Sequence, residues 1–372
     1  MLTSLTPRRA FVLWFLVGTL VSSALQWSQS RVMGGVPEGL LFAGTWQEVH
    51  TLVVDQLPQT PVFEGYGHDG QIFYAVGLDL RGEWVPDILK SASYRYRRIL
   101  YPALSSAFGA LDGAGLLWGM ILLANLPVGL AAGTVSLIVT HFRLSDRRRR
   151  FASWAPLAVV ANPSAWLSAR LLTADNLALA LGLLGVLAFL KRRTWWAAAA
   201  LAAAALTKEP ALAFAIGICA HTWYQRERST AVRIALGSGL PMLAWWTYVA
   251  PAVGNPLDSA GNVAAPFVGI ARSIPVWPNQ SANDWFFLIV VLAAFVTATW
   301  TLVRGRWLWR WIMAPHLLVA ALSSHLVWHL GNNAARAFGA LLPLAALASI
   351  SVYDSVEPKG RPLERSAQPP NG

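Results

Sequence analysis

Long apolar runs, separated by short polar turns, occupy most of the chain. A helix needs about 20 apolar residues to cross the hydrocarbon core of a bilayer, and several of the runs are shorter than that. The pattern predicts an all-α polytopic membrane protein with about ten transmembrane helices. The predicted spans are 10–27, 114–141, 153–168, 176–190, 194–207, 210–224, 232–251, 284–303, 311–330 and 337–353.

Two polar segments interrupt this pattern. The first, 28–112, is predicted to be a large loop, and the second, the Pro-rich segment 354–372, a disordered tail. Within the first loop, the stretch SASYRYRRILYPAL (91–104) places Tyr94, Arg98 and Tyr101 on one helical face. Aromatic and arginine side chains on one face are typical of helices in the membrane interface. We interpret residues 1–353 as a single transmembrane domain whose first loop contains interfacial helices.

Composition and charge support a membrane location. Hydrophobic residues make up 55% of the chain and charged residues only 13%, about half the usual soluble share. The net charge of +11 comes from short clusters between the runs, which argues against a nucleic-acid partner and for contact with membrane lipids. If both termini are cytoplasmic and the first loop is outside, most basic residues fall inside, as orientation by positive charge requires. We predict a multi-pass cell-membrane protein, with a composition that suits a bacterial plasma membrane.

The first apolar run has two interpretations. Arg8 and Arg9 precede it, and Ser22-Ser23-Ala24 could mimic a cleavage site, so it could be a signal peptide. Because many more spans follow, we favour an uncleaved first helix.

The stretch EGYGHDGQIFY (64–74) carries the strongest candidate for chemistry. Asp69 lies between His68 and Gly70, just before a predicted helix. It could cap that helix, or act as a general base at the outer membrane surface. The two roles are compatible, because a cap fixes the position of the carboxylate. The neighbouring Glu64 and His68 could simply be solvated.

Other ionisable residues near the spans are candidates because a charge left unpaired in a membrane is costly. Each also has a simpler interpretation. Arg95 and Arg98 could bind lipid headgroups, and Lys208 could pair with Glu209. The remaining alternatives are a helix cap at Asp175-Asn176 and an Arg336 side chain that extends toward the interface.

Several enzyme classes are excluded by motif. The sequence has no Walker loop, GxSxG, HExxH or CxxC motif, which removes the ATPase, serine hydrolase and zincin classes. The single cysteine, Cys219, excludes a thiolate zinc cluster. One His and one Asp, at 68 and 69, do not make a metal site. We predict no metal site and no cofactor, and leave the metal requirement and the oligomeric state open.

Four stretches resemble motifs of a known superfamily. HDGQIFYAVGLDL (68–80) is similar to a YDGQ-type motif, and YRYRRILYPAL (94–104) to the segment that follows it. LLTADNLALALGLLGVLAFLKRR (171–193) and AALTKEPALAF (204–214) resemble middle spans of mannosyltransferases. On these motifs the chain resembles the GT-C superfamily of polytopic glycosyltransferases. It departs from that pattern at His68, in lacking a DxD pair in the first loop, and in lacking a large soluble C-terminal domain.

The resemblance implies a fold, a reaction and roles for individual residues. It implies a GT-C-like helix bundle that transfers a hexose, with mannose one option, from a polyprenyl-phosphate-linked sugar donor to an acceptor hydroxyl. Asp69 would be the catalytic base. The donor phosphate would bind Arg95, Arg98, Lys208 and Arg336. The sugar or acceptor would bind Glu64, His68, Gln71, Tyr74, Tyr96, Asp175, Asn176 and Glu209.

Two other functions remain open at this point. A transporter or flippase of lipid-linked sugars would share the spans and arginines, but would be expected to have two related halves and a mid-membrane site. A non-enzymatic scaffold would scatter the charged residues. An enzyme should gather Asp69 with Arg98, Lys208 or Arg336 around one cavity.

Overall fold

The computed structural model describes residues 5–108, 112–255 and 261–353. Within these residues the chain is predominantly helical, which confirms the all-α class. The α-helices are α1 (Pro7–Val32), α2 (Val49–Gln56), α3 (Asp69–Leu78), α4 (Ala92–Tyr96), α5 (Leu100–Phe108), α6 (Gly113–Val139), α7 (Asp146–Ala152), α8 (Leu157–Val160), α9 (Pro163–Arg170), α10 (Asp175–Leu190), α11 (Thr194–Thr207), α12 (Leu212–Tyr224), α13 (Arg228–Val253), α14 (Val268–Ser273), α15 (Ala282–Arg304), α16 (Trp307–Leu322), α17 (His325–Trp328), α18 (Gly331–Ala337) and α19 (Leu341–Ser351).

Short elements complete the described structure. The strands β1 (Ala43–Gly44) and β2 (Val62–Phe63) pair in parallel, with Ala43 opposite Val62. The 3₁₀ helices are Pro37–Leu41, Val85–Ile88, Glu209–Ala211 and Trp277–Asn279. The predicted disordered tail, 354–372, lies outside the described residues.

Three described helices are long and apolar enough to cross a membrane, namely α1, α6 and α15. The pair α18 and α19, bent by 56°, would count as a fourth if it forms one broken span. The prediction of about ten spans is therefore not confirmed. The helices α10, α11 and α16 are apolar but have only 10–17 residues, and at about 1.5 Å per residue such helices fall short of a core about 30 Å thick.

Breaks in the backbone explain much of this difference. The predicted run 153–168 divides into α8 and α9, because Asn162 caps the second helix with its side chain and Pro163 begins it. The run 311–330 ends as a helix at Leu322, where the backbone turns extended at Ser323. A hydropathy pattern does not register such breaks where apolar residues resume within a few positions, as Leu326 and Val327 do after Ser323.

Glycines allow α1 and α6 to pack closely. A Cβ atom on Gly129 of α6 would lie 2.3 Å from the backbone oxygen of Phe15 in α1, and one on Gly18 would lie 2.9 Å from the Cα of Gly129. Small residues at a helix interface are a common means of association where lipid provides no hydrophobic drive between helices.

Buried polar side chains join the same helices and α9. Asn125 of α6 accepts a hydrogen bond from Ser22 and donates one to Gln26, both in α1. The Gln26 amide also donates to the backbone oxygen of Ala169 in α9, at 2.9 Å. These hydrogen bonds satisfy groups that would otherwise be buried without partners, and they fix α1 against both neighbours.

The first predicted loop is largely folded over the helices. The segment predicted as one helix, 91–104, is divided into α4 and α5 at Arg97 to Ile99. Phe73 and Tyr101 pack edge to face, with ring centroids 5.2 Å apart, in a buried cluster that continues into α6. This packing brings the start of α3, Arg95 of α4 and the two arginines that follow α4 to the ends of α10, α11 and α18.

Candidate functional site

A glycine-rich turn holds Asp69 in place. Gly67 has a φ of +66°, and a Cβ there would lie 2.4 Å from both the Gln71 amide nitrogen and the Phe42 oxygen, so only glycine suits the position. The Gln71 amide is fully buried and spans the turn. It donates to the Tyr66 oxygen at 2.8 Å and accepts from the Gly44 nitrogen at 3.2 Å.

Asp69 begins α3 and makes two strong ion pairs. Its Oδ1 accepts a hydrogen bond from Nη1 of Arg95, and its Oδ2 accepts one from Nη2 of Arg336, each at 2.7 Å. The Asp69 and Arg336 side chains are only 21% and 14% exposed. Asp69 thus joins the first loop to α18, which lies more than 260 residues later in the chain.

A second carboxylate, Asp175, extends the network. It begins α10, and its Oδ2 lies 3.3 Å from Nε of Arg336. The Lys208 ammonium donates a hydrogen bond to its Oδ1, and the Thr173 hydroxyl donates one to Oδ2 at 2.6 Å. Lys208 also lies 3.3 Å from the backbone oxygen of Arg336. Arg336 therefore bridges Asp69 and Asp175.

The third carboxylate, Glu209, pairs with the arginines that follow α4. Its Oε2 lies 2.9 Å from Nε of Arg98, and its Oε1 lies 3.3 Å from Nε of Arg97. All three side chains are less than a fifth exposed. The predicted pair between Lys208 and its neighbour Glu209 is therefore not observed, because each has a partner from another element.

Tyr94 connects the two groups of ion pairs. The Cζ atoms of Arg98, Arg97 and Arg95 lie 4.2, 5.1 and 5.3 Å from its ring centroid, within the range of cation–π interaction. Its hydroxyl accepts a hydrogen bond from Nη2 of Arg98. A single ring therefore contacts three guanidinium groups, one paired with Asp69 and two paired with Glu209.

We call this set of ion-paired side chains the charge cluster. Its members are Asp69, Arg95, Arg97, Arg98, Asp175, Lys208, Glu209 and Arg336, with Tyr94 at its centre. The predicted catalytic residue and all four predicted phosphate-binding residues belong to it.

The protonation states of the first-loop members follow from their surroundings. Burial alone would raise the pKa of Asp69, but Arg95 and Arg336 outweigh burial and hold that pKa well below its usual value. Burial, followed by the charge of Arg336, lowers the pKa of His68 to about 4. At neutral pH, Asp69 is therefore ionised and the half-buried His68 is neutral.

A cavity of about 50 Å³ adjoins the charge cluster. Its lining includes the charged residues Asp175, Lys208 and Arg336 and apolar side chains such as Leu179 and Phe214. A space of this size has room for a few water molecules and is too small for a sugar phosphate. The lining combines charge with apolar surface at the junction of α10, α12 and α18.

Some residues predicted to bind the sugar or acceptor have structural roles instead. Tyr74 is fully buried against α6, and Tyr96 is fully buried with its hydroxyl donating to the Asp79 oxygen at 2.8 Å. Gln71 uses both ends of its amide on the turn. Asn176 is buried and donates to the backbone oxygens of Ala124 and Ala165. The polar atoms of Gln71, Tyr96 and Asn176 bond backbone groups, and the buried Tyr74 hydroxyl has no hydrogen-bond partner among the described residues.

Two other predicted binding residues lie at the edge of the site. Glu64 is exposed, and within the described residues it makes no ion pair. The His68 ring packs edge to face on Phe42, with centroids 4.6 Å apart. Asp175 and Glu209, by contrast, belong to the charge cluster itself.

Sequence reasoning missed three supporting residues. It grouped Tyr94 and Arg97 with an interfacial helix, although both contact the charge cluster. It also overlooked Asp79, whose carboxylate accepts hydrogen bonds from the backbone nitrogens of Glu83, Trp84 and Val85 at 2.8–3.0 Å. The sequence signal for Asp79 was the Arg81-Gly82 turn that follows it, because Asp commonly accepts from nearby backbone groups at turns.

A metal centre has no candidate in the part of the chain that the structure describes, where no three His, Cys, Asp or Glu side chains are grouped to hold an ion. In comparisons with known proteins, no family model, no curated protein and no solved structure matches the chain.

Proposed function

We propose that the protein is a membrane glycosyltransferase. It would move a hexose, with mannose one option, from a polyprenyl-phosphate donor to an acceptor hydroxyl on the extracytoplasmic side of a cell membrane. Asp69 would be the general base. The observation that carries the proposal is the gathering of Asp69, Arg95, Lys208 and Arg336 in one charge cluster beside a cavity.

The charge balance supports an anionic ligand. The cluster contains five basic side chains and three carboxylates, which leaves two positive charges in excess. The phosphodiester of a sugar donor carries one negative charge. Guanidinium groups bind phosphate oxygens through paired, charge-assisted hydrogen bonds. A phosphodiester would therefore reduce the excess positive charge of the cluster from two to one.

The cavity lining supports a lipid-linked form of that anion. A free sugar phosphate would be bound best by polar groups on all sides. Here the three charged residues Asp175, Lys208 and Arg336 share the cavity with Leu179 and Phe214. Such a lining suits a phosphate attached to an apolar chain.

The reaction requires one proton transfer and one displacement. Asp69 takes the proton of the acceptor hydroxyl while the acceptor oxygen bonds to the anomeric carbon. The bond between that carbon and the phosphate oxygen breaks, and its electron pair stays on the phosphate. A general base of this kind contributes about 10²–10⁴-fold, and fixed cations stabilise the charge that develops on the leaving group. Arg95, Arg98, Lys208 and Arg336 supply those cations.

A donor panel tests the proposal. Purified protein in lipid nanodiscs is incubated with a membrane extract, which supplies the acceptor, and with a polyprenyl-phosphate-linked sugar donor. The sugar of the donor is labelled mannose, glucose or arabinose. We expect transfer of label from one of the two hexose donors, the mannose or the glucose donor. Asp69→Asn should lower the rate at least about 100-fold, because the base is lost. Asp55→Asn removes an exposed carboxylate of the same loop and should leave the rate unchanged.

Two results would reject the proposal. One is the absence of transfer from every donor by protein that is folded and binds polyprenyl phosphate. The other is full activity of Asp69→Asn, which would remove Asp69 as the base.

A further inference from the structure

Asp69 is in an unfavourable state for a base. Both of its carboxylate oxygens accept hydrogen bonds from guanidinium groups, one from Arg95 and one from Arg336. These two ion pairs stabilise the carboxylate as an anion and so weaken its affinity for a proton. A base of this kind must lose at least part of that stabilisation before it can accept a proton from a hydroxyl.

The same two guanidinium groups are those that a phosphate would need. Arg336 lines the cavity, and the Nε atom of Arg95 is buried with no hydrogen-bond partner among the described residues. The cavity, at about 50 Å³, has no room for a sugar phosphate while the Asp69 pairs are closed. One anion already occupies the position between the two arginines, and it is the carboxylate itself.

We infer that Asp69 and the donor phosphate compete for one anion site, formed by Arg95 and Arg336. This inference rests on the proposed function for the identity of the phosphate. In the resting protein Asp69 occupies the site. When the phosphate binds, it takes over the two guanidinium groups, opens the site and releases Asp69 as an active base. Catalytic competence is thus coupled to the presence of the donor.

The charges balance through the reaction on this account. When Asp69 takes the acceptor proton, its carboxylate becomes neutral, and the excess positive charge of the cluster rises by one. In the same step the leaving phosphate changes from a diester with one negative charge to a monoester with two. The arginines that Asp69 gives up therefore meet the second negative charge at the moment it forms.

Binding of polyprenyl phosphate, measured without any acceptor or sugar, tests the competition. The variant Asp69→Asn keeps the size of the side chain but removes the competing charge. We expect this variant to bind labelled polyprenyl phosphate in phosphatidylcholine nanodiscs at least about tenfold more tightly than the wild type. The phosphate no longer has to displace the two charge-assisted hydrogen bonds that the Asp69 carboxylate oxygens accept. The matched control Asp55→Asn, at an exposed position in α2, should bind like the wild type.

The outcomes separate this inference from the proposed function. Equal or weaker binding by Asp69→Asn, with clear binding by the wild type, overturns the competition and leaves the phosphate site in place. Absence of binding in both proteins overturns both proposals. Should Asp69→Asn fail to fold, wild-type protein gives a second test. Added polyprenyl phosphate should speed amide hydrogen exchange in the turn 64–70, and slower or unchanged exchange there would overturn the inference.

Discussion

The buried pair between Glu209 and Arg98 provides a quantitative test of the charge cluster. The two side chains are 17% and 9% exposed, and their atoms are 2.9 Å apart. The substitution Glu209→Gln keeps the shape but leaves Arg98 buried without its counter-charge. Removing one partner of a buried ion pair typically costs about 3–5 kcal/mol, so we expect the free energy of unfolding to fall by about that amount.

A surface pair of the same chemistry serves as the control. Arg192 and Glu227 lie 3.2 Å apart, with side chains 75% and 41% exposed. Water and salt screen such a pair, and Glu227→Gln should cost at most about 1 kcal/mol. The two substitutions change the same atoms, so the contrast reports on burial together with the second arginine, Arg97, that Glu209 contacts.

The assay is equilibrium unfolding in mixed detergent micelles, read by tryptophan fluorescence, for both variants and for Arg98→Gln. The double variant Glu209→Gln/Arg98→Gln should lose less than the sum of the single variants, by about 0.5–3 kcal/mol. Equal losses for Glu209→Gln and Glu227→Gln, or strict additivity in the double variant, would refute the assignment of a buried, coupled pair.

Three further predictions concern the loop and the ligand. Tyr94→Leu should raise the KM for the donor more than Tyr94→Phe does, because leucine lacks both the ring that contacts three arginines and the hydroxyl that Arg98 contacts. Steady-state kinetics with labelled donor check this, and equal KM values for the two variants would contradict it. Burial would raise the pKa of Asp79, but hydrogen bonds from the backbone of Trp84, Glu83 and Val85 hold it below the usual value. The ionised Asp79 carboxylate therefore contributes its full stability above an unfolded pKa of about 3.9, and this contribution is lost as the pH falls through the folded pKa. In unfolding experiments, the stability deficit of Asp79→Asn should shrink below about pH 4. A deficit that stays constant with pH would argue against a role for the ionised carboxylate. Finally, the affinity for polyprenyl phosphate should rise between pH 5 and 7.5, because a phosphate monoester has a second pKa of about 6 and becomes a dianion over this range. His68, with a pKa of about 4, stays neutral throughout. Binding that does not change with pH would show that the protein does not prefer the phosphate dianion.

Charge was the feature of the sequence that located the site. Asp69 and Arg336 are far apart in the chain, and no local pattern links them. Both were nevertheless candidates, because an ionisable group near apolar spans is costly unless it is paired. The rule identifies the residues that need partners, but not which partner each one finds. The contacts of Asp69 with Arg95 and Arg336, rather than with Lys208, depend on how α3, α4 and α18 pack.

The polar aromatic and amide residues could not be assigned in the same way. Tyr96 and Tyr74 combine a large apolar ring with one hydroxyl, which suits a buried core as well as a sugar-binding surface. Gln71 can bond a sugar or two backbone groups equally well. Tyr94 and Tyr96 differ by two positions in the sequence YRYRR, yet one contacts the charge cluster and the other lies in the core. Only the tertiary structure separates them.

The number of spans was predicted less well than the class of fold. Hydropathy reports whether a residue prefers an apolar environment, and α10, α11 and α16 satisfy that criterion. It does not report helix length where a turn such as Asn162-Pro163 is itself flanked by apolar residues.

The seam between α1 and α6 has a practical consequence for anyone who re-engineers this chain. The helix α1 packs closely against α6 at Gly18 and Gly129 and makes hydrogen bonds to α6 and α9. Another apolar helix would not reproduce these contacts, so α1 is not interchangeable. Exchange of residues 7–32 for an unrelated hydrophobic segment would remove these contacts, so α9, which packs against α18, would lose a packing partner.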